Sequence, residues 1–222
     1  MSDCFYRFVR IIGTPIFWAS SRPTVMHLNR SHIKGPYILA ANHHSPFDVP
    51  LMIRHTPAKL DFVTIVEAVR HRFVAWFYRS MNAFPIDRSK PDGAGVRTML
   101  HRLGNGRVLA MFPEAQIRPP EKSVTNGGTI RPGIGKLAQM AGVPVIPCVI
   151  INSAAYLKVR AWLPHKAVHY GINYGNPIVI RTDVDKNAAA EELEREFMTK
   201  MVELHMELAA AMEAKVEPAA RS

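Results

Sequence analysis

The chain has 222 residues, 48% of them hydrophobic, which suits one α/β domain with its own core and excludes a disordered protein. Lys and Arg number 28 against 18 Asp and Glu, a formal charge of +10, so the natural partners are anionic: nucleic acid, lipid or a phosphorylated ligand. No zinc-finger spacing or RNP-like aromatic motif is present, which argues against nucleic acid. The two cysteines, Cys4 and Cys148, are too far apart in sequence to point to a disulfide framework or a zinc site. No uninterrupted apolar run reaches the ~20 residues of a spanning helix, and no signal-peptide cleavage pattern follows the N-terminus.

The N-terminal stretch "CFYRFVRIIGTPIFWASSR" mixes Phe, Ile and Trp with Arg7, Arg10 and Pro15. Two readings are open. It is either a segment lying in the headgroup region of a membrane with arginines reaching for phosphates, or a helix packed on the protein's own core. A second stretch, "VRHRFVAWFYRSM", again flanks aromatics with arginines and favours the membrane surface. Strands are predicted at 36–42, 61–66, 83–86, 107–112, 143–151 and 168–174, and helices at 47–54, 68–81, 93–103 and 132–141, the last closed by Gly142. This alternation predicts a single α/β domain with a mixed, largely parallel sheet flanked by helices. "RPPEKSVTNGG" reads as a polar loop. Leu193, Phe197, Met201, Leu204, Leu208 and Met212 recur at helical spacing and predict one amphipathic C-terminal helix. The expected organisation is a membrane-associating segment over 1–30, a catalytic unit over 31–181, and a helix and tail over 182–222 belonging to the same domain.

"NHHSPFD" at 42–48 places His43 and Asp48 five positions apart, a spacing that neither a helix nor a strand turns into neighbours. The chain must therefore turn between them. "GPYILAANH" reads as a buried strand, and Ser45-Pro46 as a helix start with serine as N-cap and Asp48 at the third helical position. That geometry aims Asp48 back at His43, as a base and its orienting carboxylate. His44 is the other candidate base.

Three further blocks follow in order: "NAFPIDR" (82–88), "FPEAQIR" (112–118) and "VPVIPCVI" (143–150). Together the four resemble the ordered blocks of the glycerolipid acyltransferase family, of the 1-acylglycerol-3-phosphate acyltransferase type. The likeness spans residues 42 to 151, with an extension to "INYGNPI" at 172–178. The resemblance implies that His43 and Asp48 are the catalytic pair and that Arg88 and Glu114 engage the acceptor. It sets Arg131 of "IRPG" in place of a family lysine, and the fourth block as a strand with a structural or donor-binding role.

The expected chemistry is attack of an alcohol on an acyl thioester. A neutral imidazole takes the hydroxyl proton, typically worth ~10²–10⁴-fold, while the carboxylate fixes its tautomer. Backbone amides near the Ser45-Pro46 turn are candidate oxyanion donors. No metal or cofactor is expected; the donor, acyl-CoA or acyl carrier protein, is a co-substrate. The expected acceptor is a lysophospholipid, foremost 1-acylglycerol-3-phosphate, at the cytoplasmic face of an anionic membrane. The rivals are another lysolipid such as a lyso-aminolipid, a hydrolase using Ser45 as nucleophile, and a non-enzymatic lipid-binding module. Three departures from the family pattern stand out. Ala115 and Asn82 replace frequent glycines, and Ile117 replaces a phosphate-gripping arginine, which makes Arg118, one position later, the candidate substitute.

Overall fold

A computed structural model describes residues 2–66, 72–87, 92–165 and 168–216. Among the described residues, seven strands form one sheet in the order β1-β7-β6-β2-β5-β3-β4. They are β1 (Ser21–Met26), β2 (Ile38–Ala41), β3 (Leu60–Ile65), β4 (Phe84–Ile86), β5 (Val108–Met111), β6 (Val145–Ile151) and β7 (Val168–Tyr174). The pairings β2 with β5 and β6, β3 with β4 and β5, and β1 with β7 are parallel; β6 with β7 is antiparallel. The mixed, largely parallel sheet is the architecture expected.

Strand β2 shows why the centre of the sheet is so apolar. All four of its residues are buried, and they alternate between two cores: Leu39 and Ala41 face one layer, Ile38 and Ala40 the other. On the first face lie α1 (Ser2–Ser20) and α2 (Asp48–His55), contributing Tyr6, Phe17, Leu51 and Met52. On the second lie α4 (Gly93–Gly104), α5 (Ile134–Ala141) and α6 (Lys186–Val216). The predicted stripe from Leu193 to Leu208 is the buried face of α6. Helix α3 (Arg72–Ser80) packs beside α1. Among the described residues, no helix is long and apolar enough to cross a membrane.

Two features depart from the sequence reading. Residues 21–26, within the segment 1–30, form β1 of the sheet, so of that segment α1 is the part left as a candidate surface element. Helix α2 begins at Asp48, not at Pro46. Ser45 opens a turn in which its Oγ accepts from Phe47 N (3.1 Å) and its carbonyl from Asp48 N (3.2 Å), so the proline sits in the turn ahead of the helix.

The topology places the site. From β2 the chain crosses through α2 toward the β4 edge, whereas from β5 it crosses through α5 toward the β1 edge. A crevice opens outside the carboxyl ends of strands where successive connections part in this way. His43 follows β2 and Glu114 follows β5, on neighbouring strands.

Candidate active site

Asp48 is fully buried, and its Oδ2 accepts three hydrogen bonds: from the amides of His44 (2.8 Å) and Ser45 (2.9 Å), and from the ring of His43, whose Nδ1 lies 2.9 Å away. The two amides fix the carboxylate. A neutral imidazole bonds a carboxylate through an N–H, so Nδ1 carries the proton and Nε2 is left with a free lone pair. The His43 ring stacks on Phe112 with centroids 3.9 Å apart and an interplanar angle of 12°. Carboxylate and aromatic face together hold the ring at the wall of the cleft.

The loop bearing His43 is braced from below. Asn42, buried at the end of β2, pairs with β6 through its side chain: Nδ2 donates to Ile150 O (2.9 Å) and Oδ1 accepts from Ile150 N (2.8 Å). The His43 carbonyl accepts from Arg118 N at 2.8 Å. The His43 amide donates to Glu114 Oε2 at 3.3 Å, while Glu114 Oε1 accepts from Ser123 Oγ (2.6 Å) and Val124 N (2.7 Å). Glu114 is thus buried and engaged on both oxygens by protein donors. His44 turns to the Asn42 side chain (3.3 Å), and burial lowers its pKa from 6.5, which favours its neutral form.

The structure brings His43 and Arg131 to one cleft, with Asp48 and Glu114 directly behind His43. Arg118 is set differently: its guanidinium donates to the carbonyl of Thr129 (2.8 Å) and is absent from the cleft wall. Arg88 lies outside the described residues. The amides expected as oxyanion donors at the Ser45 turn are already engaged, those of His44 and Ser45 by Asp48 and that of Phe47 by Ser45 Oγ. Both replaced glycines prove informative. Asn82 has φ 61° and Ala115 φ 60°, the left-handed region where glycine and asparagine sit at little cost and alanine does not.

The cleft measures about 1020 Å³, and its wall is mainly apolar. On one side the wall is formed by Val9 and Phe17 of α1 and Pro50 and Ile53 of α2. On the other side it is formed by Val96 and Met99 of α4 and Ile134 and Leu137 of α5. Because Phe17 and Ile53 belong to one core layer and Met99, Ile134 and Leu137 to the other, the cleft crosses the strand ends from one face of the sheet to the other. Arg131 and Lys136 supply exposed cations at the α5 end.

Sequence reasoning did not single out Lys136, Phe112 as a ring platform, or Glu194 of α6. The Glu194 Oε1 accepts from the amides of Gly133 (2.7 Å) and Gly135 (3.1 Å), pinning the start of α5 and the loop that carries Arg131. Phe112 was within reach of a reading of the third block. Glu194 carries no local signal, since it is one of many carboxylates on a long helix.

The Acyltransferase family model matches residues 22–151, more than half of the chain. The chain belongs to this acyltransferase family. It is similar to the 1-acyl-sn-glycerol-3-phosphate acyltransferase of Streptococcus pneumoniae, 26% identical over 187 residues that cover 82% of this chain and 65% of that one. It is also 30% identical over 135 residues to the Saccharomyces cerevisiae protein of the same name, covering 57% of this chain and 42% of that one. The chain thus spans less than two thirds of either relative's length. In fold it resembles the crystal structure of the 1-acyl-sn-glycerophosphate acyltransferase PlsC from Thermotoga maritima. The TM-score is 0.62 at 20% identity, covering 90% of this chain and 79% of that one.

Proposed function

We propose that this acyltransferase moves a fatty acyl chain from a thioester, acyl-CoA or acyl carrier protein, to a hydroxyl of a lysophospholipid. The acceptor we favour is 1-acylglycerol-3-phosphate, after the names of its relatives. The observation that carries this reading is the 2.9 Å contact of His43 Nδ1 with a buried carboxylate, at the wall of a mainly apolar cleft. Nε2 takes the proton of the acceptor hydroxyl as its oxygen attacks the thioester carbonyl. Asp48 steadies the imidazolium that results. When the tetrahedral intermediate collapses, the C–S bond breaks and the imidazolium returns the proton to the thiolate. No cofactor enters this sequence. Arg131 and Lys136, which line the α5 end of the cleft, are the cations that support binding of the acceptor phosphate there.

A hydrolase built on Ser45 fits less well. That serine is buried, its hydroxyl donating to Ser153 Oγ (3.0 Å) and accepting from the Phe47 amide. Membrane association forms part of the proposal. Helix α1 sinks Tyr6 and Phe17 into the core while exposing Phe8, Ile11, Ile12, Ile16 and Trp18, so both readings of its sequence have a counterpart on opposite faces. Helix α3 adds exposed Phe73 and Trp76, the latter against Phe5 at 5.3 Å. An aromatic and aliphatic surface with interspersed arginines suits peripheral seating on an anionic leaflet. Incubating the protein with a panel of lysolipids and both donor types, with mass spectrometry of products, tests the reading. Acylated lysophosphatidic acid is expected, whereas free fatty acid alone would favour the hydrolase.

A further inference from the structure

We propose that the segment from Leu157 to His165 is a second lipid-contact surface, seated on an anionic bilayer beside α1. The inference rests on the membrane reading given for α1.

Every residue from Leu157 to His165 is exposed except Ala161. Single exposed aliphatic side chains are ordinary, but here Leu157 (63%), Val159 (86%) and Leu163 (52%) cluster within seven positions, with Trp162 beside them. Lys158 and Arg160 alternate with them and are exposed as well. Two short 3-10 turns, Ser153–Leu157 and Val159–Trp162, give the segment its shape.

The cluster is anchored to α1. The Tyr156 ring, itself buried, lies 5.0 Å from Phe17 and 5.0 Å from Trp162, and Trp162 also meets Phe17 at 5.4 Å. The Trp162 indole N–H donates to the Tyr156 carbonyl at 3.0 Å. The patch therefore continues from the C-terminal end of α1, where Ile16 and Trp18 are exposed.

Charge points the same way. The sequence has no Asp or Glu between Asp3 and Asp48, and none between Glu121 and Asp183. Helix α1 beyond Asp3 and the whole 157–165 segment lie in those acid-free stretches. Such a face attracts an anionic leaflet while its aliphatic tips enter the boundary between headgroups and chains. An acidic protein would satisfy Lys158 and Arg160 but leave the continuous apolar surface of α1 uncovered, and this favours lipid.

The test uses the full chain with exposed Cys4 replaced by serine, leaving only buried Cys148 besides the introduced site. A polarity-sensitive dye is placed in turn by Val159→Cys, by Ile12→Cys on α1, and by Met206→Cys at an exposed position of α6. On phosphatidylglycerol–phosphatidylcholine vesicles, the labels at 159 and 12 should shift to the blue and be quenched by spin-labelled lipid, and the label at 206 should not. Lys158→Gln with Arg160→Gln should weaken vesicle binding roughly thirtyfold, two charges near an anionic surface. Turnover of a short, soluble acceptor should hold, which separates lost contact from lost fold. A response at 12 with none at 159 overturns the proposal and leaves the reading of α1 standing. Silence at both positions removes the membrane reading and this inference with it. A response at 159 to a soluble acidic acyl carrier protein, but not to vesicles, makes the segment a protein-docking surface and also overturns it.

Discussion

Glu114 separates two accounts of the third block, one in which it touches substrate and one in which it holds the His43 loop. Glutamine in its place keeps the shape and one acceptor oxygen. If that oxygen stays with Ser123 Oγ and Val124 N, those two bonds survive in neutral form. Hydrogen bonds to a charge are worth ~1.5–3 kcal/mol and neutral ones about 1, so the weakening costs about 1–4 kcal/mol for the pair. The new amide N–H then faces the His43 N–H, and a stranded buried donor adds about 1–3 kcal/mol. Near the lower end of these ranges the sum is roughly 3 kcal/mol, which lowers Tm by about 6–12 °C or more in a chain of this size. Calorimetry of Glu114→Gln, alongside steady-state kinetics on lysophosphatidic acid, should show that loss together with a fall in kcat, as His43 shifts, and little change in acceptor KM. An unchanged Tm with a tenfold rise in KM would refute the reasoning and put the carboxylate on the substrate.

Other expectations follow from particular geometries. Ala115→Gly should relieve a left-handed alanine, worth about 1–2 kcal/mol against about 0.4–1 of added unfolded-chain entropy, so thermal melts should show a small rise in Tm with activity kept, and Ala115→Val a fall. His55 is held neutral mainly by burial, then by Arg54 and Arg10, and its pKa is lowered from 6.5 to about 4. The stability it contributes is therefore complete above pH 6.5 and lost as pH falls toward 4, about 3 kcal/mol in all; denaturant unfolding of His55→Gln should give a flatter curve across that window. Arg131→Ala should raise the KM for lysophosphatidic acid about tenfold or more, by loss of a charge-assisted phosphate contact. Arg118→Ala, which frees the Thr129 carbonyl, should lower Tm and leave KM near its starting value; the reverse pattern would put Arg118 on the phosphate.

How much the sequence discloses depends on whether a feature is local. The turn between β2 and α2 is written in seven consecutive residues, and the five-residue gap from His43 to Asp48 demanded the contact that the structure contains. Strand β1 escaped notice because "SRPTVM" has no apolar run and carries Pro23, which an edge strand tolerates and a central one does not. Helix α6 was legible where its apolar stripe meets the core, but its bounds were not: its start near Lys186 buries only the small side chains Ala189 and Ala190, and its end near Val216 is exposed. The partners of Glu114 come from a polar loop without periodicity, so nothing local tied Ser123 and Val124 to the third block. Arg118 was one position from a family arginine, yet a backbone carbonyl across the loop takes its guanidinium. Neither pairing has a sequence spacing that would announce it.

The central claim is that His43 is the base and Asp48 sets its tautomer. Its most direct measurement is turnover of acyl thioester and lysophosphatidic acid by His43→Ala, Asp48→Asn and the double variant, each checked for an intact fold by circular dichroism. The account predicts no detectable turnover without His43, a nearly complete loss with Asp48→Asn, and no further loss in the double variant, because the two residues act as one unit. A folded His43→Ala protein that still transfers the acyl chain would contradict it.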